Sequence, residues 1–246
     1  MKALIFAAGL GTRLRPVTNT LPKALVSVGG VPMLQRVLLK IKDAGICDIV
    51  VNTHHFSEKI AGFIKNNDGF GAKVSLSVEK DEPLETGGGI RHAGKFLKGC
   101  GRFLVHNADI LSNLSLEWFL SADRPDSLAT LVVQEAEADR YLLFNDNMRL
   151  VGWTNVRTGE VKSPFPDLDL HTCRRYSFCG IHIISEDILG MMAPWPDKFG
   201  IIDFYLSVAD RFPIVGVIPM SLKLIDIGSP EKLAEAEQAV WEIDKK

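Results

Sequence analysis

Three stretches of this sequence hold side chains whose types and spacing suit phosphate chemistry. The first is Ala7-Ala8-Gly9-Leu10-Gly11-Thr12-Arg13-Leu14-Arg15-Pro16, followed closely by Leu21-Pro22-Lys23. Glycines after an apolar run let backbone N–H groups approach anionic oxygens, while Arg13 and Lys23 add a forked and a point cation. Such a set suits a triphosphate. The other two stretches end in acids: Asp109 follows the apolar run 102–106, and Asp226 lies in the run 223–227. Magnesium takes hard oxygen ligands, typically one or two carboxylates completed by phosphate oxygens and water, and acids at or beside strand ends are of that type. Two familiar phosphate motifs are excluded by one residue, because a P-loop and a dinucleotide fingerprint would each need glycine where Leu14 stands.

These groups need a scaffold, and the hydrophobic pattern supplies one. Residues 2–7 read as a buried strand stopping before Gly9, and Pro32 opens a helix with Leu34, Val37, Leu38 and Ile41 inward, closed by Gly45. A strand at 49–51, a helix at 57–66 and a strand at 74–78 continue the alternation. Gly87-Gly88-Gly89 is expected to precede a helix reaching about Leu97, and the strand 102–106 runs into Asn107-Ala108-Asp109. In open α/β sheets, ligands sit beyond the carboxyl ends of the strands. Past Arg124-Pro125 the strands shorten: 128–133, 141–144 and 150–153, then a polar loop at 154–172. A strand at 176–184, helices at 186–192 and 201–210, and strands at 214–218 and 223–227 follow. Ser229, Pro230 and Glu231 then start a terminal helix with Leu233, Ala236 and Val240 inward. The pattern predicts an α/β fold with a three-layer, Rossmann-like, mixed and mostly parallel sheet.

Composition narrows the partners. Of 246 residues, 46% are hydrophobic and 24% charged, the balance of a soluble globular chain. The net charge of -2 argues against nucleic acid, so a polyphosphate must be held by locally placed cations. Cys47, Cys100, Cys173 and Cys179 show neither zinc nor redox spacing. No membrane span or signal segment is evident, and a cytoplasmic protein, monomer or small homo-oligomer, is expected. The histidines have no metal spacing, and Trp118, Trp153, Trp195 and Trp241 lie on different elements, so no stacking platform is expected.

The ordered string A-A-G-x-G-T-R-L-x-P followed by P-K resembles the signature of the sugar-phosphate nucleotidyltransferases. Further matches are residues 83–89 (PLETGGG), 107–109 (NAD), 176–181 (YSFCGI) and 225–231 (IDIGSPE), so the resemblance runs nearly the whole length. It implies a single domain with a nucleotide-binding half, 1–125, and a half that binds the sugar phosphate and closes the site, 126–246. It further implies that an NTP and a sugar 1-phosphate give an NDP-sugar and pyrophosphate, with magnesium on Asp109 and Asp226. Ala7, Ala8, Gly9, Gly11, Thr12, Arg13, Lys23 and Asn107 are then expected at the nucleotide. Glu79, Thr86, Gly87 and Gly88 would lie along its base and sugar, and Gly180 and Asn155 at the sugar phosphate. The stretch 84–89 is most similar to short uridylyltransferases acting on N-acetylmuramic acid 1-phosphate. Guanylyltransferases of mannose or heptose 1-phosphate, a cytidylyltransferase of a phosphorylated alcohol and a silent regulatory subunit that binds nucleotide sugars are the alternatives. One departure stands out: relatives carry Glu-Lys-Pro in the second half, whereas this chain has Gly152-Trp153-Thr154-Asn155. Asn155, Lys162 or Arg175 would have to take the lysine's place.

Overall fold

The computed structural model describes residues 1–244. In the first part, β1 (Lys2–Phe6), β2 (Ser27–Val28), β3 (Val31–Pro32), α1 (Met33–Asp43), β4 (Asp48–Thr53), α2 (Ser57–Asn66), β5 (Lys73–Val78) and α3 (Glu85–Leu97) follow one another. Next come β6 (Arg102–Asn107), β7 (Ile110–Ser112), α4 (Leu116–Ser121), β8 (Ala129–Gln134), β9 (Arg140–Phe144), β10 (Leu150–Asn155) and β11 (Glu160–Lys162). The chain ends with β12 (Arg174–Ser185), α5 (Ile188–Met191), α6 (Ile201–Val208), β13 (Ile214–Val217), β14 (Leu224–Asp226) and α7 (Pro230–Ile243).

One mixed sheet organises the molecule in the order β11-β10-β9-β12-β6-β1-β4-β5, with β8 joined to β12 and β13 to β8. It is parallel from β5 through β4 and β1 to β6, and again between β8 and β13. Where β12 enters beside β6 and carries on to β8 and β9, the pairing is antiparallel. The inner strands β1, β4 and β6 carry apolar runs buried on both faces because helices cover both. Leu4 and Val50 meet Ile90 and Leu97 of α3 on one side, while Ile5 and Val51 meet Leu34, Leu38 and Ile41 of α1 on the other. Each such side chain contributes about 1.5–3 kcal/mol by leaving water. A smaller cluster packs Ala236, Val240 and Ile243 of α7 against Val28, Leu111 and Ile225. Ser229 caps α7 by accepting the Lys232 N–H at 3.3 Å, with Pro230 in the first turn.

Three features differ from the sequence reading. Gly87, Gly88 and Gly89 lie inside α3, not before it; they are buried, so close packing outweighs their poor helix propensity. The loop 154–172 contains β11, whose three residues are all exposed; an edge strand without an apolar face leaves no periodic signal. The short elements β2, β3, β7 and α4 also went unseen.

Two buried histidines set an acid limit on the fold. His182 Nδ1 lies 2.8 Å from the Tyr205 hydroxyl, and burial lowers its pKa to about 3. Burial likewise lowers His106, to about 4 from an ordinary 6.5. In the unfolded chain both would protonate near 6.5, so the unfolded state binds more protons below that pH. Stability is therefore complete above about pH 6.5 and should fall by up to about 1.4 kcal/mol per pH unit per histidine as pH drops toward 4. Urea midpoints measured across that window should show this slope, and His182→Asn should reduce it by about half.

Candidate active site

The carboxyl ends of three parallel strands are tied together. Ala7 N–H donates to the Asn52 carbonyl at 2.9 Å and Ala108 N–H to the Phe6 carbonyl at 2.9 Å, so the loop from Ala8 onward opens beside Asn107. Ala7 is buried, whereas Gly9 and Thr12 are exposed, and a side chain at Gly9 would meet nothing within 4 Å. Gly11 is constrained. It has a left-handed φ of 62°, and a Cβ there would come 2.9 Å from Thr18 Cγ2 and 3.1 Å from Lys23 Cβ. Thr18 Oγ1 donates to the Gly11 carbonyl at 2.7 Å, which closes the loop on itself, and Leu14 anchors it at 1% exposure.

Asp109 and Asp226 meet because β14 pairs antiparallel with β7, directly after β6. Asp226 stands opposite Ile110, and Ile227 N–H donates to the Asp109 carbonyl at 3.0 Å. Lys23 enters between the two acids: its Nζ forms an ion pair with Asp109 Oδ2 and lies 3.6 Å from Asp226 Oδ1. Arg13 reaches the same region, bordering Gly228. A Cβ on Gly228 would lie 2.8 Å from Arg13 Nη2 and 3.2 Å from Asp226 Oδ1, so only glycine leaves both groups room. Partial desolvation, then the charge of Asp109, raises the Asp226 pKa above the usual carboxylate value, while Lys23 and Arg13 pull it down. Its side chain remains 56% exposed, so solvent screens these effects. Among the described residues no group of three or more His, Cys, Asp or Glu side chains could hold a metal unaided. The protein offers two hard oxygen donors around a point where an ammonium now stands, which fits Mg²⁺ completed by substrate and water.

Asn107 faces Gly180. The glycine has φ of 69°, sits where the β12 register shifts, and a Cβ on it would lie 2.6 Å from Asn107 Nδ2. His106, neutral through its lowered pKa, donates from Nδ1 to the Asn107 carbonyl at 2.7 Å and steadies this strand end.

The stretch after β5 is fastened to the second half of the chain. Gly87 and Gly88 N–H donate to the Phe199 carbonyl at 2.9 and 3.2 Å, and Thr86 Oγ1 accepts from Ile201 N–H at 2.9 Å. A Cβ on Gly87 would strike the Phe199 ring at 2.3 Å, and one on Gly88 the Asp197 carbonyl oxygen at 2.2 Å. These glycines therefore serve close packing as well as any ligand. Glu79, which read as a base contact or a solvent-facing strand end, is 3% exposed. Its Oε1 accepts from Asn52 Nδ2 at 2.8 Å and its Oε2 from Leu84 N–H at 2.9 Å, so it anchors the loop from beneath.

A cavity of about 560 Å³ opens on the sheet face shared by β9–β12 and is closed by α6. Leu142, Trp153 and Lys162 stand in one cross-strand row, and Arg140, Asn155 and Glu160 in the next. Trp153, not expected in any platform, lies in its wall with Lys162 Nζ 5.2 Å above the ring. Lys162 is held by Asp203 at 3.0 Å. Asn155 lines the cavity, but its Oδ1 accepts the Arg157 and Thr158 N–H groups at 3.0 and 3.3 Å; Arg175 lies outside, in a hollow with Glu135. Gly200 links this cavity to the loop after β5, since a Cβ there would lie 3.4 Å from Asp203 Oδ2 and 3.7 Å from Glu85 Oε2. The cavity residues Arg140, Trp153 and Asp203 were not picked out from the sequence; only a cross-strand register could have grouped them.

Residues 2–142 match the Nucleotidyl transferase family. The chain belongs to that family. The N-acetylmuramate alpha-1-phosphate uridylyltransferase of Caulobacter vibrioides is 29% identical over 247 residues, 98% of this chain and 97% of that one. An enzyme of the same name from Neisseria meningitidis is 40% identical over 114 residues, 46% of this chain and 49% of that one. The structure of HddC from Yersinia pseudotuberculosis complexed with GMP-PN superposes with a TM-score of 0.74 at 25% identity, covering 97% of this chain and 99% of that one. No described helix is long and apolar enough to cross a membrane.

Proposed function

We propose that this chain joins the nucleoside monophosphate of an NTP to a sugar 1-phosphate and releases pyrophosphate, in the cytoplasm where NTPs are made. One observation carries the reading: Arg13, Lys23, Asp109 and Asp226 converge beside an open glycine loop. Asp109 and Asp226 would hold Mg²⁺, which when bound supplies charge neutralisation at phosphate oxygens. The remaining tasks fall to the chain. The acceptor phosphate, with a second pKa of about 6, is already ionised near neutrality and needs no general base. Arg13 and Lys23 neutralise the departing pyrophosphate during in-line displacement. Asn107 packs against Gly180, and the sugar ring is assigned to the 560 Å³ cavity against Trp153, which the β12 residues Ser177 and Phe178 line just before Gly180.

The favoured pair is UTP with N-acetylmuramic acid 1-phosphate. The Caulobacter relative, aligned nearly end to end, supports it, and so does Arg140, which shares the cavity's polar row with Asn155. Arg140 has no ion pair or side-chain hydrogen bond among those described, so its guanidinium is available to an acidic acceptor. The likeness to a protein complexed with GMP-PN supports GTP and a neutral hexose or heptose 1-phosphate as the second reading. A pyrophosphate-release matrix of four NTPs against N-acetylmuramic acid, N-acetylglucosamine and mannose 1-phosphates tests both. The muramic acid phosphate with UTP should be fastest, and Arg140→Gln should erode its preference over the neutral acceptors by about tenfold. Fastest turnover with GTP and mannose 1-phosphate would transfer the assignment to the second reading. No pyrophosphate with any pair would reject catalysis altogether.

Gly228→Ala probes the cation side. The added methyl displaces the mobile end of Arg13 and crowds Asp226 Oδ1 less, both of them side-chain tips, so the melting temperature should hold while KM for the NTP rises about tenfold or more.

A further inference from the structure

The charged groups of the site neutralise one another before any substrate arrives. Lys23 lies against Asp109 and near Asp226, its side chain is 13% exposed, and Arg13 and Asp226 both border Gly228. Two cations thus face two anions. The Lys23 stem is fixed: its Cβ abuts Gly11, and its carbonyl accepts the Val26 N–H at 3.1 Å in a single 3-10 turn. Only the outer methylenes and the ammonium are free to swing between the acids and the mouth of the glycine loop.

We propose that Lys23 is a built-in competitor for the metal position, so that metal and triphosphate are taken up as a unit. This rests on the reading above, in which Asp109 and Asp226 hold a divalent cation. Lys23 cannot pair with a phosphate and with the acids at once. When its ammonium turns to a triphosphate, two neighbouring carboxylates lose their counter-charge and repel, a state that favours a divalent ion. Conversely, Lys23 displaced from the acids becomes available to phosphate. Each event lowers the cost of the other, and such coupling is reciprocal by thermodynamic necessity. The nucleotide-free enzyme therefore binds metal weakly because an ammonium already occupies the place between the acids.

The probe is Mn²⁺ alone, titrated into nucleotide-free enzyme and followed by electron paramagnetic resonance of the free ion. Lys23→Met should tighten Mn²⁺ binding by about tenfold or more, within the ordinary range of coupling energies. Lys23→Arg, which keeps the charge, should remain near the unmodified protein. Equal or weaker Mn²⁺ affinity in Lys23→Met overturns the competitor role. A second comparison separates this from failure of the metal site itself. Adding Asp109→Asn to Lys23→Met should remove the tight binding; if it does not, the ion is not at these acids and the metal placement fails too. Lys23→Gln repeats the measurement should the methionine variant fail to fold.

Discussion

Asp226→Asn is expected to remove nearly all pyrophosphate release, on the order of 10³-fold, without lowering the melting temperature. The two halves of this result have different causes. On the proposed metal placement, activity falls because an amide brings no negative charge to a divalent cation shared with Asp109. Stability holds because the Asp226 carboxyl is partly desolvated and repelled by Asp109, which raises its pKa. A carboxyl whose folded pKa is raised favours the folded state less as pH climbs through that pKa, so the charged form is a liability near neutrality. Replacing it by an amide removes the repulsion while keeping the shape, and the exposure of the side chain keeps the gain small. A joint loss of activity and of several degrees in melting temperature would show that Asp226 is structural.

Gly88→Ala should have the larger effect on stability. Its new methyl would lie 2.2 Å from the backbone carbonyl oxygen of Asp197, an atom that cannot swing aside like a side-chain tip. Overpacking of this kind costs about 3 kcal/mol, or roughly 6–12 °C in a domain of this size. Gly62→Ala in α2 is the contrast, for nothing lies within 4 Å of the added atom and a helix interior prefers alanine. Scanning calorimetry of the two variants should move in opposite directions. Equal melting temperatures would mean that the segment around Asp197 yields freely.

The contrast between these glycines explains what could be read from residues alone. The parallel strands were legible because each holds a short apolar or alternating run, and α1 because its apolar positions repeat at helical spacing. The string from Ala7 to Lys23 was legible as a loop with cations, since Gly11 truly needs its left-handed backbone. That Asp109 and Asp226 meet follows from a three-residue ribbon between β7 and β14, which local pattern does not reveal. The burial of Glu79 was hidden for a related reason. A strand-end glutamate is normally solvated, and its burial depends on Asn52 and the Leu84 N–H arriving from elsewhere. The cavity was hidden most completely, because its polar row is defined by register between β9, β10 and β11.

The pairing of β14 with β7 also bears on how such a chain emerges from the ribosome. Most of the parallel sheet and the entire glycine loop precede β7, yet the second acid arrives only after β8 to β13 have been made, just ahead of α7. A nascent chain could therefore shelter its early strands without possessing a complete reactive centre. A copy without β14 would lack one of the two acids assigned to the metal, so on that assignment competence would switch on in a single docking event.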